Sequence, residues 1–158
     1  MYIVKNIEII LYDFEKIDLP NLIYKEFNNL ICLIRKLYLL ISMTLYKDVF
    51  FSEVKDIKQI LSPRGTGNLV LNELELGVPV EDIVLVLSFD EKVGDIVLNF
   101  PEHFLFTTKQ THDKANLKEF ANYLMKLQST YYMSKAIIGY EPATDEDSRL
   151  IEITVDIK

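Results

Sequence analysis

Two kinds of hydrophobic pattern alternate along the chain. Ile3 to Tyr12 is rich in Ile, Val, Leu and Tyr and predicts a first strand. Asp18 before Leu19-Pro20 reads as a helix N-cap with proline in the first turn, where its missing N–H costs nothing. From there Ile23, Phe27, Leu30, Ile34, Leu37 and Ile41 recur at helical spacing, with Lys25, Glu26, Asn28, Asn29, Arg35 and Lys36 mostly between them. This spacing predicts the longest helix of the chain, ending near Met43. Ser52 is placed to cap a short helix in which Val54, Ile57 and Leu61 share a face, stopped by Pro63. Ser62 to Asn68, with Pro63, Gly65 and Gly67, reads as a loop.

The middle of the chain predicts sheet. Leu69 to Leu76 is bounded by Gly77 and Pro79, and Ile83 to Phe89 is an almost continuous apolar run, the pattern of a central strand covered on both faces. Asp90 to Asp95 turns into Ile96 to Phe100, a hairpin with a loop of about five residues. Phe104 to Thr108 adds a short strand. After Asp113 or Asn116 as a cap, Leu117, Phe120, Ala121, Leu124, Leu127 and Tyr131 define a second amphipathic helix. Lys135 to Tyr140 is a strand, Glu141 to Asp147 a charged loop and Leu150 to Ile157 a final strand. Its strict alternation, with Ile151, Ile153, Val155 and Ile157 on one side, places it at an edge or on an open side of the sheet. Runs segregated in this way predict an α+β fold, a mostly antiparallel sheet with two main helices packed on one side. No repeat, low-complexity tract or linker divides the chain, so residues 1–158 are expected to form a single globular domain.

Charge adds a direction to this picture. The net charge of -7 is unevenly spread: residues 69–102 carry eight acidic side chains and one basic, residues 140–158 six and two. Such blocks argue against nucleic acid and anionic membranes as partners. They either suit a cationic partner or simply keep the protein in solution. The single cysteine, Cys32, excludes an internal disulfide and suits a reducing, cytoplasmic setting. No signal peptide is expected at Met1-Tyr2-Ile3-Val4-Lys5-Asn6. Leu30 to Met43 is too short to span a bilayer and carries Arg35 and Lys36 in its middle.

Motifs for chemistry are absent. Cys32 sits between Ile31 and Leu33 with nothing to lower its pKa, and reads as a packed thiol. His103 and His112, with Glu102 and Asp113 beside them, could form a metal cluster or a scattered active site; surface histidines are the simpler reading. Arg64-Gly65-Thr66-Gly67-Asn68 has the glycines of a phosphate loop without its Lys-Ser/Thr, so the glycines are expected to serve a turn. No catalytic residue, cofactor or bound metal is expected.

The segment Gly139-Tyr140-Glu141-Pro142-Ala143-Thr144-Asp145-Glu146-Asp147-Ser148-Arg149 places Glu141, Asp145, Glu146, Asp147 and Tyr140 between two strands. Three readings fit it. It is a solvated loop that guards strand edges, a site for Ca²⁺ or Mg²⁺ without the EF-hand pattern, or a patch that meets Lys and Arg on a partner with Tyr140 as aromatic anchor. Glu73, Glu75, Glu81 and Asp82 offer a second acidic patch.

The layout of the chain, and the segment from Ile137 to Ile153 with its Gly139-Tyr140-Glu141-Pro142-Ala143 run, resemble the immunity proteins of bacterial polymorphic toxin systems. The resemblance implies a protein that binds one toxin domain tightly and blocks its active site. Many such toxins are basic nucleases, and the resemblance implies an acidic surface that competes with the nucleic acid they bind. The expected function is a non-enzymatic inhibitor of a cognate, basic toxin. Two other classes stay open: a structural or adaptor subunit of a homo- or hetero-oligomer, and a motif-free enzyme with a site near His103 and His112.

Overall fold

The computed structural model describes residues 5–27, 37–41, 45–49, 54–106 and 114–155. Strand β1 (Asn6–Glu15) carries Ile7, Ile9 and Leu11 on one face, all buried, which is the period of two that a half-covered strand requires. It lies inside a sheet completed by β2 (Leu37–Ile41), β3 (Leu45–Val49), β4 (Gly65–Glu75), β5 (Pro79–Phe89), β6 (Val93–Pro101), β7 (Lys135–Tyr140) and β8 (Arg149–Thr154). The eight strands follow the order β3-β2-β4-β5-β6-β1-β7-β8, and every pairing is antiparallel. The first strand therefore sits between β6 and β7, and β8 is an edge, as its alternation predicts.

The helical elements are α1 (Leu19–Asn21), α2 (Ile57–Ile60) and α3 (Ala115–Thr130). α1 is the middle of a longer helical stretch, with a 3-10 turn before it (Lys16–Asp18) and a π turn after it (Leu22–Glu26). Leu19 and Leu22, Ile57, and Phe120 and Leu124 of these elements all enter one core with Ile9, Leu85 and Leu98 of the sheet. Phe100, 1% exposed in this core, meets Phe120 and Phe104 edge-on at 5.5 and 6.4 Å between rings. Helices thus cover one face of an antiparallel sheet, the predicted α+β arrangement.

Several boundaries differ from the pattern. The long helix expected through Ile41 is a strand at Leu37–Ile41, paired with β3 and β4. Leu37-Tyr38-Leu39-Leu40-Ile41 is a continuous apolar run, which periodicity alone cannot assign to helix or strand. Leu30, Cys32 and Ile34 lie outside the described residues. Asp18 makes no side-chain cap, because the helical stretch already begins at Lys16. Ser52 also lies outside the described residues, and Asp56 caps α2 by accepting the Lys58 N–H at 2.9 Å.

The expected loop Ser62–Asn68 is shorter, because Gly65 to Asn68 already belong to β4 and pair with Phe89 to Val86 of β5. Neither Gly65 nor Gly67 has positive φ. Gly65 instead allows a close approach: a Cβ there would lie 3.0 Å from Leu61 Cα. The run Ile83 to Phe89 is covered on one face, not two. Ile83, Leu85, Leu87 and Phe89 are buried, while Ser88 is exposed and Val84 is 37% exposed. The β5–β6 hairpin is tighter than predicted, closed by Asp90 N–H to Val93 O at 2.9 Å. The expected strand at Phe104 is a 3-10 turn (Glu102–Leu105). Asn116 does not cap α3; its amide donates to the Phe104 carbonyl at 2.9 Å and ties that turn to the helix.

Candidate protein-binding surface

The second face of the sheet carries a much smaller apolar cluster of Ile10, Ile137 and Ala143, edged by Tyr12 and Val97. Ala143 belongs to the acidic loop between β7 and β8, so that loop folds back over the sheet instead of trailing in solvent. Five polar contacts fix it. The Glu8 carboxylate accepts the Ala143 N–H at 2.7 Å, and Glu141 accepts from the Asn6 amide at 3.1 Å. Arg149 donates to the Thr144 carbonyl at 3.2 Å and to Glu152 at 2.6 Å. Ser148 N–H closes the loop on the Asp145 carbonyl at 3.1 Å. Asp145, Glu146 and Asp147 are left exposed on the outside of this anchored loop. None of them ion-pairs with a basic side chain among the described residues.

Tyr140 stands apart from these carboxylates in character. It is half-buried, with Lys5 and Lys114 nitrogens 5.4 and 5.7 Å from its ring centre. Burial first, and the Glu102 charge second, raise its phenol pKa. Its ring lies beside two lysines of its own chain.

The second predicted patch lies on the β4–β5 hairpin. Glu73 is directly opposite Glu81, and Glu75 opposite Pro79. Between the pairs Leu71↔Ile83 and Glu73↔Glu81, Asn72 and Asp82 are unpaired, and Asp82 has φ +55°. There the buried set changes phase, from Leu69 and Leu71 to Leu74 and Leu76, so that the tip bends onto α3. Gly77 (φ +87°) makes this contact, since a Cβ would lie 2.8 Å from the Glu119 carbonyl oxygen. Glu73, Glu75, Glu81 and Asp82 consequently face solvent.

The register places both patches at one end of the sheet. Tyr140 is opposite Ile7, which is opposite Phe100, and Asn99 is opposite Val84. Three strand steps separate β5 from β7, roughly 14 Å at the usual spacing.

A family model described as PABL017 Cdi1I immunity protein matches residues 5–156. The chain belongs to the Cdi1I immunity protein family. Its fold is shared with a chain of the 1.75 Å crystal structure of the toxic C-terminal tip of CdiA from Pseudomonas aeruginosa in complex with immune protein. The TM-score is 0.72 at 15% identity, over 99% of this chain and 100% of that one. No curated protein matches the chain.

In this Cdi1I family member the groups that hold the loop, Glu8 and Arg149, were not among the residues singled out from sequence. The available signal was Glu8 itself, a carboxylate in the middle of an apolar strand. Of the two histidines, His103 is exposed and rests on Phe104 at 4.1 Å between rings, and His112 lies outside the described residues. Among the described residues no three His, Cys, Asp or Glu side chains are grouped to hold a metal ion, and no helix is long and apolar enough to cross a membrane.

Proposed function

We propose that this Cdi1I-family protein neutralises a cognate toxin domain by binding it in the cytoplasm, without chemistry of its own, as one globular domain with an acidic surface turned toward a basic partner. Family membership over residues 5–156 carries the reading. The crystal structure that shares the fold is a complex of a CdiA toxin tip with immune protein. The acidic character of the contact is supported by the hairpin: Glu73 and Glu81 oppose each other across a strand pair, an arrangement that destabilises a sheet unless a cation lies nearby. Asp145, Glu146 and Asp147 extend the same field at the same end of the sheet.

The test has two steps. Tagged protein is used to retain its partner from the lysate of its own organism at low and high salt, with a basic toxin domain, held less well at high salt, as the expected result. Association with that domain is then timed for Asp145→Asn/Glu146→Gln/Asp147→Asn. Neutralising the loop should slow association at low salt and flatten its salt dependence, because exposed charges act mainly on the on-rate. A variant that associates at the wild-type rate in low salt would remove the loop from the interface.

A further inference from the structure

At the opposite end of the sheet two concavities, of about 400 and 640 Å³, meet at Val93. The first runs along the ends of β1, β4, β5 and β6. The second lies between the Lys16–Asp18 turn, α2 and the tip of the β5–β6 hairpin. None of the residues lining either one belongs to the acidic patches described above.

Three features set this groove apart from an ordinary surface dent. Its otherwise polar rim carries two exposed aliphatic side chains: Ile17 is 69% exposed, the most exposed large apolar side chain among the described residues, and Val93 is 37% exposed. Its floor is rigid. Lys16, only 5% exposed, donates to the carbonyl oxygens of Leu61, Pro63 and Asp90 at 2.8, 3.3 and 3.1 Å, joining three segments of chain. Gly94 also lines it, at a point where a Cβ would lie 2.3 Å from the Ser88 carbonyl oxygen. Its negative excess lies in the first concavity, where carboxylates outnumber basic groups three to one; in the second they are three to three. Lys16 is engaged by the carbonyls and Arg64 by Asp90 at 3.5 Å, while Asp56 accepts the Lys58 N–H, which leaves Glu15 and Glu91 as the carboxylates of the second concavity without a hydrogen bond or ion pair among the described residues. Asp13 enters because β1 bulges after Leu11 and gives it φ +53°, with its N–H donated to Asp95 at 3.1 Å.

Two exposed aliphatic side chains beside Glu15 and Glu91, next to a concavity with an acidic excess, are complementary to a Lys or Arg side chain that has an apolar neighbour. We propose that the groove grips such a cationic side chain of the toxin domain, with Ile17 and Val93 as its apolar contacts. The inference rests on the immunity reading and divides the labour of binding. The acidic loop sets how fast the toxin arrives, and the groove sets how long it stays.

The probe is the toxin domain that the tagged protein retains. Its association and dissociation rates are measured on the full chain and on Ile17→Arg, Glu91→Arg and the triple loop variant. Both groove positions are exposed, and thermal denaturation checks that each variant is folded. Ile17→Arg and Glu91→Arg are expected to speed dissociation by at least about tenfold, while the loop variant changes association alone. Wild-type dissociation in both groove variants, with slow association in the loop variant, overturns the groove and leaves the acidic-loop reading standing. Wild-type rates in all three overturn both surfaces while toxin binding itself stands. If the unaltered chain retains no toxin domain, the immunity reading falls and takes the groove with it.

Discussion

The two faces of this sheet are built by alternate residues of the same strands, and they are used differently. On the helix-covered face, Ile7, Ile9 and Leu11 join a core that reaches from β4 to β7 and into the helices. On the other face the corresponding positions are Glu8, Ile10 and Tyr12, and buried apolar packing shrinks to Ile10, Ile137 and Ala143. Thr66, Ser88 and Asp95 continue that second face toward the groove. A sheet with one dry face leaves the other free to carry charge and shape, provided its loops are pinned. Here Ala143 and the Glu8 carboxylate pin the loop to the sheet, with Asn6 and Arg149 holding its two ends.

The contrast can be broken most severely at Phe100. Truncating it to alanine removes the ring between Phe104 and Phe120 and should destabilise the protein by about 3–5 kcal/mol in denaturant unfolding. On the second face, Glu8→Ala should cost about 1.5–3 kcal/mol of loop anchoring. Its signature is local, faster hydrogen exchange at the Ala143 amide with little change at core amides. An unchanged Ala143 rate would mean that packing alone holds the loop.

Smaller still is Tyr131→Phe, which removes the 3.0 Å hydrogen bond to Glu26 and should cost about 1 kcal/mol at neutral pH. Burial, reinforced by the Glu26 hydrogen bond and charge, pushes the Tyr131 hydroxyl from 10.0 up to about 12. Between those values the unfolded chain has released a proton that the folded chain retains, so stability falls as pH rises from about 10 to 12. The phenylalanine variant should show a shallower alkaline decline. The smallest effect belongs to Val84→Ser on the open face, within about 0.5 kcal/mol. A larger loss there would show that the open face contributes more to stability than its exposure suggests.

Legibility from sequence followed the same division. β4 to β8 could be placed from apolar runs bounded by turn residues, with the start of β4 missed, and α3 and β8 from their clear periods of 3.6 and 2. Leu37 to Ile41 could not, since five apolar residues in a row satisfy both periods and only pairing with β3 and β4 decides. The second, open face of β5 was hidden for a similar reason: Val84 and Val86 look like core until their exposure is known. The acidic loop was visible as a run of carboxylates, but its anchoring was not. Glu8 and Ala143 are 135 residues apart. The groove left still less trace, since Asp13, Asp90 and Asp95 come from separate strand ends, and Ile17 looks like any apolar residue near a helix start.

Lys16 gives the groove a fixed width. One ammonium group spans the exit of α2 and the tip of the β5–β6 hairpin, so the separation of those walls equals the reach of its hydrogen bonds. The opening is set when the chain folds rather than when something enters it. A guest therefore meets a mould, and the ordering cost that flexible walls would add to binding is already met in the free protein.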